Sequence, residues 1–342
     1  MDLAGHNRTS ERHGYQSFRS ARCRTAPTLD KASLDNQSLM SMESQCETSS
    51  DISFPDLEIM KLSSVIDFLE IFAPPHLAED WDNVGLLLGD RESDCRSLMT
   101  CLTITPDVVE EAVDGSVDLI VAHHPLPFHP LKKITADTVV GSMILKMAKA
   151  NIAVYSPHTA FDSTANGINQ SIAEKLNLEE ITAIQIIDGN SPDLSNDIQQ
   201  SKTDNNLTVP NGVFGVGRMG RLVTPTTCIE ICENLKVLFD LKLVQFCGEL
   251  DAVVTKIGIA CGSAGQFLND AKQMGCDAFI TGETNFHTCL ESIANRTPMF
   301  LLGHYGSERF AVELLAKVLS EEFPQIPIWP SQNESDPIQN VL

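Results

Sequence analysis

A chain of 342 residues, with 42% hydrophobic and 6% aromatic content, is long enough for two or three compact units and apolar enough to bury a core. Its formal net charge of −22 repels phosphate backbones and disfavours direct nucleic-acid binding. No apolar run reaches the roughly 20 residues of a membrane span, and ten scattered cysteines without a C-x-x-C pair argue against a disulfide framework or a structural zinc knuckle.

Residues 1–55 are polar and aperiodic, the composition of a disordered extension. Arg8, Arg12, Arg19, Arg22 and Arg24, set against Asp2 and Glu11, give it a likeness to a mitochondrial transit segment; a non-targeting tail fits the same residues. It holds no apolar h-region, so a secretory signal is not expected. The expected location is the cytoplasm, with a mitochondrial or nuclear fraction as the alternative.

The folded part is expected to start near Lys61, where KLSSVIDFLEIFAP has helical spacing and Pro74-Pro75 stop it. WDNVGLLLGD reads as a turn and a short strand, and SLMTCLTI as a strand. Thr105 and Pro106 supply an N-cap and first-turn pair for PDVVEEAVDG. DLIVAHHP is a β-branched strand ending in polar residues; VVGSMILKMAKA is helical, IAVYSPHTAFD begins as a strand, and NGINQSIAEKL is a helix. A polar stretch over 188–211 reads as a loop or insert, after which KIGIACG, GQFLNDAKQMG, CDAFITGE, HTCLESIAN, PMFLLGH and SERFAVELLAKVLSEEF resume the strand–helix order. GVGRMG, Gly215 to Gly220, matches G-x-G-x-x-G, but RLVTP follows and the next helix is expected only from Thr224-Pro225. These glycines are read as a tight turn between strands. Neither a G-x-S-x-G elbow nor a P-loop is present.

The expected fold class is therefore α/β, with mainly parallel mixed sheets. The expected boundaries are a first lobe over 56–187, an insert and connecting segment over 188–252, a second lobe over 253–330 and a tail over 331–342. The lobes read as a pseudo-repeat: TPDVVEEAVDGSVDLIVAHH and AGQFLNDAKQMGCDAFITGE are each a helix, a glycine-containing turn and an Asp-led strand. Counted from Asp118 and Asp277, His124 falls opposite Glu283. Both halves then reach a histidine followed four residues later by a carboxylate, His158 to Asp162 and His304 to Glu308.

Ligands of a parallel sheet bind beyond the carboxyl ends of its strands, and His123, His124, His158, Glu283 and His304 all fall at such ends, with Asp162 and Glu308 about one turn further. The tandem histidines could serve two adjacent ions, with Glu308 as a bridge and Asp162 completing the second ion's shell. Imidazole and carboxylate donors without thiolate suit zinc, iron or manganese. The expectation is two divalent ions held by His123, His124, Asp162, His304 and Glu308, in a cluster at strand ends between the lobes. Two ions about 3.5–4 Å apart make metal-assisted hydrolysis the natural enzyme chemistry. His158, Glu283 and His129 would then orient ligands or carry protons, with His158 and Glu283 as the catalytic candidates. His129 and His287 each also fit an ordinary structural or surface role.

The motifs WDNVGLLLGD, DLIVAHHPLPFHPLKKIT, YSPHTAFDSTANGINQSIAEKL, GSAGQFLNDAKQMGCDAFITGE and GHYGSERFAVELLAKVL resemble the Nif-three-like family, also labelled GTP cyclohydrolase I type 2. The resemblance spans about residues 60–330. It implies two-lobed α/β subunits assembled as toroidal homohexamers around dinuclear metal sites, with the same five ligands. It implies either a cyclohydrolase-type hydrolase of a small nucleotide-like or phosphorylated substrate, or an interaction partner of transcriptional regulators whose metal site is structural or handles metal. An open coordination position facing a pocket would separate these two.

Overall fold

Helix α1 (Leu62–Phe72) opens the described part of this computed structural model, which covers residues 60–187 and 214–341. Its Leu62, Val65, Ile66, Leu69 and Phe72 recur at helical spacing and are all buried, and Pro74 follows directly on the capping Ala73. The extension expected over residues 1–55 and the polar stretch 188–211 lie outside the described residues.

The chain next lays down β1 (Gly85–Leu88), β2 (Leu98–Cys101), α2 (Pro106–Asp114), β3 (Leu119–Ala122), α3 (Val139–Lys149) and β4 (Ala153–Ser156). Thr105 caps α2 as the spacing predicts, its side chain accepting from the Val108 N–H. Helix-bearing connections force β2, β3 and β4 to run parallel, and every residue of the three is buried, as strands covered on both faces require. Two short helices follow, α4 (His158–Ser163) and α5 (Ile168–Lys175).

The second half comprises β5 (Glu179–Thr182), the ribbon β6 (Gln185–Ile186) and β7 (Gly215–Val216), β8 (Arg218–Thr227), α6 (Cys228–Leu238), β9 (Gln245–Cys247), β10 (Val253–Ala260), α7 (Leu268–Gln273), β11 (Ala278–Thr281), α8 (Phe286–Ala294), β12 (Met299–Leu301), α9 (His304–Glu308), α10 (Phe310–Glu322) and β13 (Ile328–Pro330). Six strands form one sheet in the order β5-β8-β10-β11-β12-β9. The first sheet has the order β1-β4-β3-β2-β13, so the chain's last strand returns to pair beside β2.

Parallel pairing dominates only the first sheet. In the second, β10, β11 and β12 are parallel, while β5, β8 and β9 pair antiparallel around them. The glycine motif does turn between strands: Gly217 takes the left-handed φ of +62° between β7 and β8. The helix expected from Thr224-Pro225 starts later. Those residues lie in β8, where the register with β10 slips between Val254 and Lys256. Proline, lacking an N–H, is tolerated at such an irregularity. The helix begins at Cys228, fixed by a capping box between Thr227 and Glu230.

Strand alternation sorts the core. Leu119 and Val121 of β3 join Ala278 and Ile280 of β11 in the largest buried cluster. Ile120 and Ala122 face a cluster with α2 and α3, and Phe279 one with α7. Both sheets thus turn one face to a shared core, and the strand ends that carry the polar residues come together beside it.

Candidate metal centre

His123 and His124 leave β3 in an irregular way. The N–H of His123 donates to Cys101 O at 2.9 Å and that of His124 to Leu102 O at 2.8 Å. Consecutive N–H groups bonding to the same neighbouring segment break the alternation of a regular strand. Both rings can therefore turn to one side, with centroids 5.0 Å apart.

From the other sheet, β12 ends at Leu301, and Gly303, at φ +79°, turns the chain into α9. His304 and Glu308 stand one helical turn apart on that short helix. His124 Nε2 and His304 Nε2 each lie 3.1 Å from Glu308 Oε2, and 3.2 Å from each other. Gly262, at φ +65°, leaves room for Glu308 Oε1 where a side chain would collide with it.

His123 is 3% exposed, and neither of its ring nitrogens has a hydrogen-bond partner among the described residues. Its Nε2 lies 3.7 Å from Asp162 Oδ1 and 4.0 Å from Glu308 Oε1. Those separations are too long for hydrogen bonds, and a buried imidazole left unbonded is costly. Carboxylate oxygens facing an orphaned ring nitrogen across such gaps suit a shared cation. Two groups of side chains, His123, His124 and His158, and His124, His304 and Glu308, have donor atoms close enough to hold a metal ion.

The remaining candidates divide. Glu283 is withdrawn from the cluster: its Oε1 accepts from His304 Nδ1 at 2.9 Å and so orients that ring. The analogous contact on His124 comes from Thr103 Oγ1, 2.6 Å from Nδ1. His158 sits inside the cluster, 5.2 Å and 5.6 Å in ring centroids from His123 and His124, and holds the uncommon φ of +28°. Its Nδ1 donates to Asp82 Oδ1 at 2.7 Å. His129 is exposed in the loop after β3, and His287 is exposed on α8.

Burial alone would raise the Glu308 carboxyl, but hydrogen bonds from His124 and His304 hold it well below the carboxylate range. The hydrogen bond to Glu308 conversely raises His304 to about 9. Burial pushes His123 far down, so it is neutral and one of its ring nitrogens carries a free lone pair. Burial and the nearby Glu308 charge push Asp162 up. Burial raises Asp82 as well, but His158 and Thr159 overcome this and hold it at about 2.

Asp82, Thr103, Gly262 and Cys261 are missed by the sequence reading. Cys261 Sγ lies 3.2 Å from Asp162 Oδ1. Burial, then the Asp162 and Glu308 charges, drive its thiol well up. It is therefore a neutral donor that positions Asp162. The signal for Asp82 was WDN, read only as a turn. His124, His158, Asp162, His304 and Glu308 line one cavity of 330 Å³.

Residues 60–337 match the Duf34/NIF3 (NGG1p interacting factor 3) family. The chain belongs to that family. Among curated relatives, a GTP cyclohydrolase 1 type 2 homolog of Clostridium acetobutylicum is 32% identical over 282 residues, covering 81% of this chain and 98% of that protein. A protein NIF3 homolog of Schizosaccharomyces pombe is 32% identical over 269 residues, covering 77% of this chain and 89% of its own. Among solved structures, a Bacillus cereus protein related to NIF3 superposes with a TM-score of 0.73 at 22% identity, over 83% of this chain and 100% of that one, and so bears out the fold. Among the described residues no helix is long and apolar enough to cross a membrane.

Proposed function

We propose that this Duf34/NIF3 chain is a metal-dependent hydrolase of a small nucleotide-like or phosphorylated substrate, with two divalent ions held by His123, His124, Asp162, His304 and Glu308. The observation that carries the reading is His123: a buried, neutral imidazole whose ring nitrogens are both unbonded among the described residues, with Nε2 facing two carboxylates. The oxygen and nitrogen donors suit zinc, iron or manganese, and the protonated Cys261 adds no thiolate. When bound, such cations supply Lewis acidity and an acidified water. The chain's own part is to hold the ligands in place and move protons. Asp82 fixes the His158 ring through Nδ1, which leaves Nε2 for proton transfer at the cavity that His158 lines. Glu283 and Thr103 fix the rings of His304 and His124.

The names of relatives point both to a cyclohydrolase type and to an interacting factor. A purely structural metal belongs in a closed shell. The 330 Å³ cavity against His124, His304 and Glu308 favours the hydrolase reading over that of an interaction protein with a structural or metal-handling site. Each half supplies part of the cluster, and each sheet places its parallel strands in the same order, β2-β3-β4 and β10-β11-β12, which supports a pseudo-repeat of two lobes. The reading extends to assembly as a homohexamer. Phe286, Leu290 and Ile293 make an outward apolar stripe on α8, 71%, 48% and 55% exposed, and a second copy of the chain would cover it.

Elemental analysis tests the metal. Wild type should carry two divalent ions per chain, and His123→Ala and Glu308→Ala should lose them while keeping the far-ultraviolet circular dichroism of the fold. Full retention by both variants would sink the proposal. Sedimentation of Leu290→Glu against wild type tests assembly; an unchanged mass for the two would remove α8 from the interface.

A further inference from the structure

The metal cluster leaves one conspicuous feature beside it unused. Trp81 is 61% exposed and Phe128 is 44% exposed, yet both line the cavity. Their ring centroids are 5.9 Å apart with planes tilted by 41°, and they stand 6.0 Å and 5.9 Å from the His158 ring. No third aromatic ring could insert between them at that spacing. The open faces of the pair are what remains available.

The backbone beneath these rings is fixed. Asp82, next to Trp81, has a side chain 1% exposed, and it accepts from His158 Nδ1, from Thr159 N at 3.1 Å and from Asn83 N at 2.7 Å. Asn83 Nδ2 in turn donates to Pro127 O at 2.8 Å and so ties the Trp81 turn to the loop that carries Phe128. Two large apolar rings are thus held out to water on a pinned frame. Rigid aromatic faces of this kind bind by stacking, at little cost in ordering.

Resting on the reading of the histidine cluster as a ligand site, we propose that Trp81 and Phe128 form a stacking platform for a flat heteroaromatic ring of the ligand. Charge disfavours an anionic ring there: Glu79 joins Asp162 and Glu308 in the cavity lining of a chain with formal net charge −22. Position sets the ligand's shape. Only the His158 ring separates the platform from His123 and His124. A ring stacked on the platform therefore brings its own edge to the histidines. The ligand class is a compact heteroaromatic compound whose metal-facing group is in the ring or attached directly to it, and a cavity of 330 Å³ has room for one.

The test is equilibrium binding, with no activity required. The chain has two tryptophans, so Trp329→Phe leaves Trp81 as the sole tryptophan fluorophore. Guanosine and adenosine should quench it saturably, and ribose 5-phosphate should not. By calorimetry, Trp81→Ala and Phe128→Ala should each weaken guanosine binding about tenfold, while Trp81→Phe stays near wild type and shows that the fold is kept. Metal content of the same samples is measured separately. Quenching without metal would overturn the metal reading and keep the platform; two metals with no saturable quenching would overturn the platform alone. Equal guanosine affinity in wild type and Trp81→Ala would also overturn it, as would a change confined to the oligomeric mass of Trp81→Ala, which would make the rings a protein-docking surface.

Discussion

Replacing Gly262 by alanine should damage the cluster more than the backbone. Gly262 holds φ +65°, and a Cβ there collides with Glu308 Oε1. An L-residue at such a φ costs about 1 kcal/mol over glycine. The methyl group must also displace the Glu308 carboxylate, whose Oε2 lies 3.1 Å from both His124 and His304. Loss of one charge-assisted hydrogen bond of this kind costs about 2 kcal/mol, so the sum is about 3 kcal/mol. Gly275 is the control: its φ is +80°, and among the described residues nothing lies within 4 Å of a Cβ built on it. Gly275→Ala should therefore show the backbone term alone, about 1 kcal/mol. The assay is urea unfolding of both chelator-treated variants at pH 7, with elemental analysis of untreated samples. Gly262→Ala should lose metal and Gly275→Ala should keep it. Equal destabilisation of the two, with full metal in Gly262→Ala, would show that Glu308 does not depend on this cradle.

Three further outcomes follow from the same contacts. The folded Asp82 carboxyl is depressed to about 2, so its contribution of about 2 kcal/mol is present above the unfolded value near 3.9 and is lost as pH falls from about 4 toward 2. The gap in urea midpoint between wild type and Asp82→Asn should narrow across that window; a gap independent of pH would contradict the assignment. His304 is raised to about 9, so its ion pair with Glu308 stabilises metal-free protein fully below about pH 6.5 and fades as pH rises through about 9. Because bound metal must displace that proton, apparent affinity should climb with pH up to about 9, by about tenfold per unit for one proton between about 7 and 9 and more steeply below about 7, where the raised Asp162 carboxyl also holds one, and a flat pH profile in competition titrations would exclude His304 as a ligand. Arg218 is fully buried, with Nη1 donating to Gly215 O at 2.8 Å, Nη2 to Thr164 O at 2.7 Å and Nε to Gln170 Oε1 at 2.9 Å. Lysine cannot reproduce that fork, so Arg218→Lys should lose about 3 kcal/mol in thermal or urea unfolding, and a loss below about 1 kcal/mol would count against it.

Elements with strong local signals were legible in the sequence. The 3.6-residue spacing of α1, the Thr105-Pro106 start of α2 and the apolar runs of β3 and β11 each correspond to an element. The convergence of His123 and His124 was legible because it needs only a chain leaving its sheet. Long-range pairing was not. No local pattern tells β13 that its partner is β2, or that β5, β8 and β9 will flank a parallel centre with antiparallel edges. Pro225 misled because a proline after threonine marks a helix start, and only the slipped register with β10 shows that it sits in a strand. Asp82 and Cys261 were invisible for the same reason: they touch His158 and Asp162 across 76 and 99 residues of chain.

The electrostatics of the cluster also separate it from the acidic surface around it. A formal charge of −22 attracts cations everywhere, but exposed carboxylates hold them weakly, and salt screens them. Glu308 is 3% exposed and stays ionised because His304 beside it is protonated. His123 is neutral because burial denies it a second proton, so the lone pair of its unprotonated ring nitrogen is open without competition near pH 7. Exchange of the His304 proton for a cation keeps the Glu308 charge compensated and gives the orphaned Nε2 of His123 a partner. The gain thus arises where water and salt are excluded, so cation binding at the five proposed ligands should survive ionic strength that strips the surface carboxylates.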